Sequence, residues 1–185
     1  MVVPFAPGGS GDVIARPVAE RLTRVLGKQV VVDNRAGAGG MIGINIVATA
    51  AADGHTLLLT SNSLATSAAV QKTPYDPLRD FDAIGRIAAA PLLVVKRANF
   101  PAQNVQELVA YAKANSGKVS YGTAGMGSSQ HLIGELFAMS VGNIKLENIH
   151  YKGTAPSLID LIGGRIDMVV TTMASLRGTG GAERL

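Results

Sequence analysis

Two short segments carry the residue types best suited to chemistry. The first is Phe5-Ala6-Pro7-Gly8-Gly9-Ser10-Gly11-Asp12 and the second is Gly122-Thr123-Ala124-Gly125-Met126-Gly127-Ser128-Ser129. Each follows a short apolar run and precedes a helical pattern, and each consists mainly of glycine, alanine and hydroxyl residues. Small residues let a ligand approach the backbone. The first N–H groups of a helix lack internal partners and carry the positive end of the helix dipole, which suits an anion. In parallel α/β sheets such loops lie at the carboxyl ends of the strands, where ligands bind. Either loop alone reads equally well as a tight βα turn. Two of them, at corresponding places in successive units, favour a two-sided clamp for a small anion.

Enzyme motifs fare worse. Gly8-Gly9-Ser10-Gly11-Asp12 has Asp12 where a nucleophile elbow needs glycine, and no P-loop signature occurs. Gly37-Ala38-Gly39-Gly40-Met41-Ile42-Gly43 places its last glycine one residue late for a dinucleotide fingerprint, so helix packing is the better reading. His55, His131 and His150 stand in no metal-ligand spacing. His55 reads as a surface residue. His131, in the first turn after the second loop, reads as structural ahead of anion-binding, and His150 either lines a cleft or fills space. Asp160 and Asp167 read as solvated or capping charges, and Lys152 as a surface lysine. An enzyme would have to draw on Ser10, Ser128 and His131. No cofactor or metal is expected.

The elements that must position these loops follow from periodicity. Met1 to Pro4 reads as a strand. Val13, Ile14, Val18, Leu22, Val25 and Leu26 share one helical face, with Ser10 as N-cap and Gly27 as the stop. Val30 to Asp33 and Thr56 to Thr60 read as strands, with a helix between them from the Gly37–Gly43 segment through Ala50. Ser61-Asn62-Ser63 closes the third strand, and Ile84 to Ile87 and Leu92 to Val95 follow as further strands. Asn104 with Glu107 predicts a capping box that opens a helix to about Ala114, with Val105, Leu108, Val109 and Ala112 facing inward. Strands at Val119–Gly122, Asn148–His150 and Ile166–Thr171 alternate with two more helices. The alternation predicts parallel α/β sheets: a first lobe over residues 1–97, a second over 98–176, and an irregular tail over 177–185.

The 185 residues are 47% hydrophobic, enough for a core, and only 4% aromatic. A net charge of +4, without basic runs interleaved with aromatics, argues against nucleic acid and leaves a mild attraction for anions. The absence of cysteine excludes thiolate metal sites and cysteine nucleophiles. Met1 leads straight into Val2 and Val3 without the pattern of a signal peptide, and no apolar run is long enough to span a bilayer.

Several longer motifs occur in a familiar order. They are Val2 to Asp12, Val32-Asp33-Asn34-Arg35-Ala36-Gly37-Ala38-Gly39-Gly40, Ala52-Asp53-Gly54-His55-Thr56-Leu57-Leu58 and Pro74-Tyr75-Asp76-Pro77. Tyr121-Gly122-Thr123-Ala124-Gly125, Ser129-Gln130-His131-Leu132 and Tyr151-Lys152-Gly153-Thr154-Ala155-Pro156 continue the series. Together, from Val2 to about Ser175, the chain resembles the Bug/TctC receptors, the extracytoplasmic solute-binding proteins of tripartite tricarboxylate transporters. The resemblance implies a type II periplasmic-binding fold of two lobes, a carboxylated ligand such as a dicarboxylate, tricarboxylate or acidic amino acid, transporter membrane subunits as partners, and a periplasmic location. It implies ligand contacts, largely through backbone N–H groups and bridging waters, at Phe5, Ala6, Gly9, Ser10 and Asp12 and at Thr123, Ala124, Gly125 and Ser128. Ser61, Ser63 and Thr171 join them by position. In that fold the chain normally returns to finish the first lobe. Here that lobe is expected to be incomplete, with an open strand edge inviting self-association, and a non-functional fragment is the alternative to a working receptor.

Overall fold

In the computed structural model, which describes residues 1–180, two sheets of unequal size share the chain. The first holds β1 (Val2–Val3) and β2 (Asp33–Asn34), paired in parallel with Val2 opposite Asp33. The second has four strands in the order β3-β6-β4-β5: β3 (Leu93–Lys96), β4 (Ser120–Thr123), β5 (Glu147–His150) and β6 (Met168–Thr171). The helices are α1 (Ser10–Leu26), α2 (Met41–Ala48), α3 (Ser63–Val70), α4 (Val105–Ala114), α5 (Ser129–Ser140), α6 (Thr154–Ile162) and α7 (Met173–Gly178), with a single 3-10 turn at Ala38–Gly40 ahead of α2.

The second sheet carries most of the core. Successive residues of β6 point to opposite faces. Met168 and Val170 join Tyr121, Val119, Leu108, Ala112 and Phe100 on one side. Val169 joins Leu158, Leu161, Ile166 and Leu176 on the other. Asp167 fastens this sheet at one end. Its carboxylate accepts from Arg97 at 3.0 Å and from the backbone N–H and hydroxyl of Ser120 at 2.9 and 3.0 Å. Asp160 accepts from Arg165 and from the Tyr151 hydroxyl. Both carboxylates are therefore structural pairs rather than solvated charges.

Several expectations are corrected. The second sheet is mixed, because β3 runs antiparallel to β6. β3 was expected to close the first lobe. It is instead an edge strand of the second sheet, so the chain changes sheets before Leu93 and not after residue 97. Thr56–Thr60 forms no strand and contributes one bridge, Leu58 to Val2, while Ile84–Ile87 forms none. The strand expected at Val30–Asp33 is found instead as the two residues of β2, Asp33–Asn34, with only Asp33 in common. Residues 63–70, to which the sequence pattern assigns no element, form α3. α7 runs through Gly178, so the expected tail begins as helix, and residues 181–185 lie outside the described residues.

α1 also turns differently from its apolar pattern. Its buried residues are Asp12, Ala15 and Ala19, whereas Val25 and Leu26 are 67% and 59% exposed. Gly9, not Ser10, is the N-cap. The first core is small: Val3, Ala15 and Leu59, with Met1, Ile14 and Val32 against them. Leu78, Ile84 and Ile87 are exposed as well. The chain exposes 10310 Å², against about 8,400 Å² for a compact monomer of its 19.1 kDa mass.

Candidate functional site

The two glycine-rich loops meet at a seam between the sheets. The first loop leaves β1 and enters α1. Ala6 donates its N–H to the Lys152 carbonyl at 3.1 Å, and Gly8 and Ser10 donate theirs to Asp12 Oδ2 at 3.0 Å and Ser175 Oγ at 2.9 Å. The Phe5 carbonyl accepts from Asn34 at 3.1 Å. Asp12 is buried. Desolvation raises its pKa, but bonds from Arg16 at 2.9 and 3.0 Å and from Gly8 outweigh that, so the carboxyl sits below its usual range. Its charge is committed to shaping the loop.

The second loop leaves β4 and enters α5. Ser128 caps α5, its hydroxyl accepting the His131 N–H at 3.3 Å. The Thr123 hydroxyl accepts the Gly125 N–H at 3.2 Å and contacts His150 Nδ1 at 2.9 Å. α3 packs across this loop. Thr66 and Ser67 donate to the Gly127 carbonyl at 2.9 and 3.2 Å. Ser63, which contacts the Ser61 hydroxyl at 3.0 Å, lies 3.4 Å from the Ser129 hydroxyl, and Ser129 also donates to Asn62.

Each loop meets the opposite side of the seam through small residues. Gly39 and Gly125 are packed so closely that a Cβ on Gly125 would lie 2.7 Å from Gly39 Cα. A Cβ on Gly153 would lie 2.9 Å from Ala6 N. Gln130 Nε2 reaches Thr154 Oγ1 at 3.4 Å. The N-terminal ends of α1, α6, α5 and α3 thus follow one another along a single seam. Among the described residues, the N–H groups of Phe5, Gly9 and Ala124 find no acceptor. The Thr60 hydroxyl, next to Ser61, is buried without a partner. Buried polar groups of this kind are ordinarily hydrogen-bonded.

Thr171 is buried in β6 with its hydroxyl toward the Thr172 carbonyl at 3.5 Å. From that end of the sheet, Ser175 bonds the first loop and Gly178 packs against Gly8. Sequence reasoning missed Ser175, Asn62, Ser129, Gly39 and the α6 end at Gly153–Thr154. The usable signal for α6 was Gly153-Thr154-Ala155-Pro156, a strand-to-helix entry of the same composition as the two loops, with proline early in the helix.

Two surface depressions, of about 280 and 520 Å³, lie by the end of α5 and along α4, and no residue of either loop lines them. Among the described residues no group of three or more His, Asp or Glu is placed to hold a metal, and no helix is long and apolar enough to cross a membrane.

Comparison with known proteins agrees with this arrangement. Protein BugT of Bordetella pertussis is 40% identical over 179 residues, covering 95% of this chain and 55% of BugT. Among solved structures, periplasmic binding protein BugD matches with a TM-score of 0.92 at 38% identity, covering all of this chain and 62% of BugD. R. palustris Rpa4515 with adipate matches at 0.92 and 32%, covering 99% of this chain and 62% of that one. MatC from Rhodopseudomonas palustris with bound malate matches at 0.87 and 28%, covering 96% and 63%. The chain spans about half the length of the curated relatives it matches. The family match covers residues 14–179, so it continues past Ser175, where the motif resemblance had been expected to end. Over nearly its whole length, then, this chain belongs to the tripartite tricarboxylate transporter family of receptors, TctC.

Proposed function

We propose that this chain captures a small organic acid at the seam between its sheets and, as part of the intact receptor, presents it to the membrane subunits of a tripartite tricarboxylate-type transporter in the periplasm. The observation that carries the reading is the succession of four helix N-terminal ends along one seam. It brings together unpaired N–H groups and the positive ends of four dipoles. The adipate and malate named for two structural neighbours have the matching chemistry. Phe5, Gly9 and Ala124 are the donors whose N–H groups remain for a ligand. Ala6 and Ser10 hold the seam closed, and Asp12 holds the first loop in shape.

The reading is binding without turnover. Neither Ser10 nor Ser128 has a base on its hydroxyl among the described residues, and such a base is what an activated nucleophile requires. Isothermal titration with adipate, malate, succinate, citrate and glutamate should give saturable heat with at least one of them. No heat with any of the five, from a folded preparation, would overturn the reading for this chain.

A second reading concerns partners. Val25, Leu26, Ile84 and Ile87 give the first unit an uncovered apolar surface, and the exposed area exceeds that of a compact monomer by roughly twice the ~800 Å² that each partner of a standard interface buries. We assign that surface to a second copy of the chain. Sedimentation velocity at micromolar concentration should show a dimer or larger species. A monomer throughout that range would refute the assignment.

A further inference from the structure

The second loop is held from both sides at one peptide. The carbonyl of Gly127 accepts from Thr66 and Ser67 on α3, across the seam. Its N–H donates to His131 Nδ1 at 3.2 Å, within the second lobe. A backbone N–H can only donate, so this bond requires a bare Nδ1 and places the ring proton of a neutral imidazole on Nε2. Gly127 has φ +74°, and a Cβ there would lie 2.6 Å from Gln71 Nε2 and 2.9 Å from Ser67 Oγ, so the peptide has little room to move while the seam is closed.

We propose that His131 is a positioning residue for ligand capture: as a neutral acceptor it fixes the Gly127 peptide, and its protonation releases the second loop. The proposal rests on the receptor reading above. It assigns to this side chain a role that the loop composition did not disclose.

The surroundings of the ring define the switch. The His150 ring on β5 stands edge-on to it at 5.0 Å and disfavours a second positive charge. Glu135, one turn along α5, lies 4.0 Å from Nε2 and favours the cation. That carboxylate is also engaged by the Tyr121 hydroxyl on β4 at 2.5 Å and by Asn148 on β5. β6 and α3, which also pack on α5, contribute no titratable side chain. His150 itself is kept below the usual histidine range, first by partial desolvation and then by His131, with Glu135 opposing. Protonation at Nδ1 would set N–H against N–H at Gly127 and break the bond.

The closed loop thus needs an unprotonated Nδ1 to accept the Gly127 N–H. A proton on Nδ1 removes this acceptor, so the grip is expected to weaken toward acid. Adipate affinity and backbone amide exchange should be measured from pH 7.5 to 5.5 for the wild type and for His131→Asn, whose side-chain oxygen can accept in place of Nδ1 without titrating. The wild type should lose about tenfold more affinity than His131→Asn over this range. Comparing the two profiles removes the titration of the ligand itself. Exchange at Gly127, corrected for the intrinsic pH effect, should rise about tenfold in the wild type only. Parallel affinity profiles with unchanged Gly127 exchange would overturn the proposal. If adipate does not bind, the exchange arm decides alone, which separates failure of the switch from failure of the receptor reading.

Discussion

Gly39→Ala is expected to weaken dicarboxylate binding at least 100-fold while lowering the melting temperature by only a few degrees. A Cβ at Gly39 would stand 2.0 Å from the Met126 carbonyl oxygen and 3.1 Å from its carbon, both backbone atoms of the opposing loop. Neither atom can swing aside as a side chain would. The two residues lie on different sides of the seam, so the molecule has a cheap escape, which is to part the lobes. The backbone itself adds about 1 kcal/mol, since Gly39 has φ +64°. Closing against the clash need cost only about 2.7 kcal/mol more than before for a 100-fold loss. Gly125→Ala meets the same wall from the other side, 2.7 Å from Gly39 Cα, and should behave alike. Calorimetric titration with adipate together with scanning calorimetry would read both effects. Retention of affinity within threefold by Gly39→Ala would mean that the ligand-bound state does not use this contact.

The second large effect falls on the fold itself. Gly43→Ala is expected to destabilise the first lobe by about 3 kcal/mol, the upper part of the usual range for overpacking. Its Cβ would lie 2.7 Å from the Arg35 carbonyl oxygen and 2.7 Å from Pro4 Cα. Both neighbours are backbone atoms on the same side of the seam as Gly43, so opening the lobes gives no relief. α2 would have to withdraw from β1 and β2, which hold the first loop. Urea unfolding and thermal melting would show the change, about 10 °C in the latter for a chain of this size. Gly85→Ala is the control. Nothing lies within 4 Å of its Cβ position, and its effect should stay within about 0.5 kcal/mol. Equal stability of the two variants would contradict the close packing of α2.

What the sequence discloses here is mostly local chemistry. Asn104 and Glu107 build a variant of the capping box their spacing predicts: Asn104 accepts the Glu107 N–H at 2.9 Å, and Glu107 reaches back past the cap to the Gln103 N–H at 2.7 Å. Gly27 ends α1 in the left-handed conformation expected of it. β4 and β6 fall within a residue or two of their expected positions because buried strands announce themselves as apolar runs. Distant partners are harder to read. Thr56–Thr60 has strand composition, but strand pairing needs a neighbour, and only Leu58 finds one. The direction of β3 depends on β6, more than seventy residues later, and no local pattern encodes it. Ser63 to Val70 lacks charged residues and a wide apolar face, so its sequence announces no helix. Its small residues are what allow α3 to lie against Gly127.

The loops were legible as loops with exposed amides. The division of labour within them was not. Whether an N–H serves a ligand or the protein depends on which acceptor lies opposite, and for Ala6, Gly8 and Ser10 those acceptors are Lys152, Asp12 and Ser175. Asp12 is only four residues from Gly8. The other two come from distant parts of the chain, so tertiary structure alone could identify them.

The strand order of the second sheet also bears on how the protein is made. β6 sits between β3 and β4, although of these four strands it is synthesised last. As the chain leaves the ribosome, β3 and β4 have no pairing with each other to form, because β6 separates them in the finished sheet. β4 and β5 can pair meanwhile, but β3 has nothing to pair with until Met168–Thr171 emerges. At translation speeds of about 5–20 residues per second, that leaves β3 an unpaired edge for several seconds. A nascent-chain arrest series should therefore show at most a partial β4–β5 signature until the tunnel has released residue 171, and then an abrupt gain as β6 joins β3 to β4.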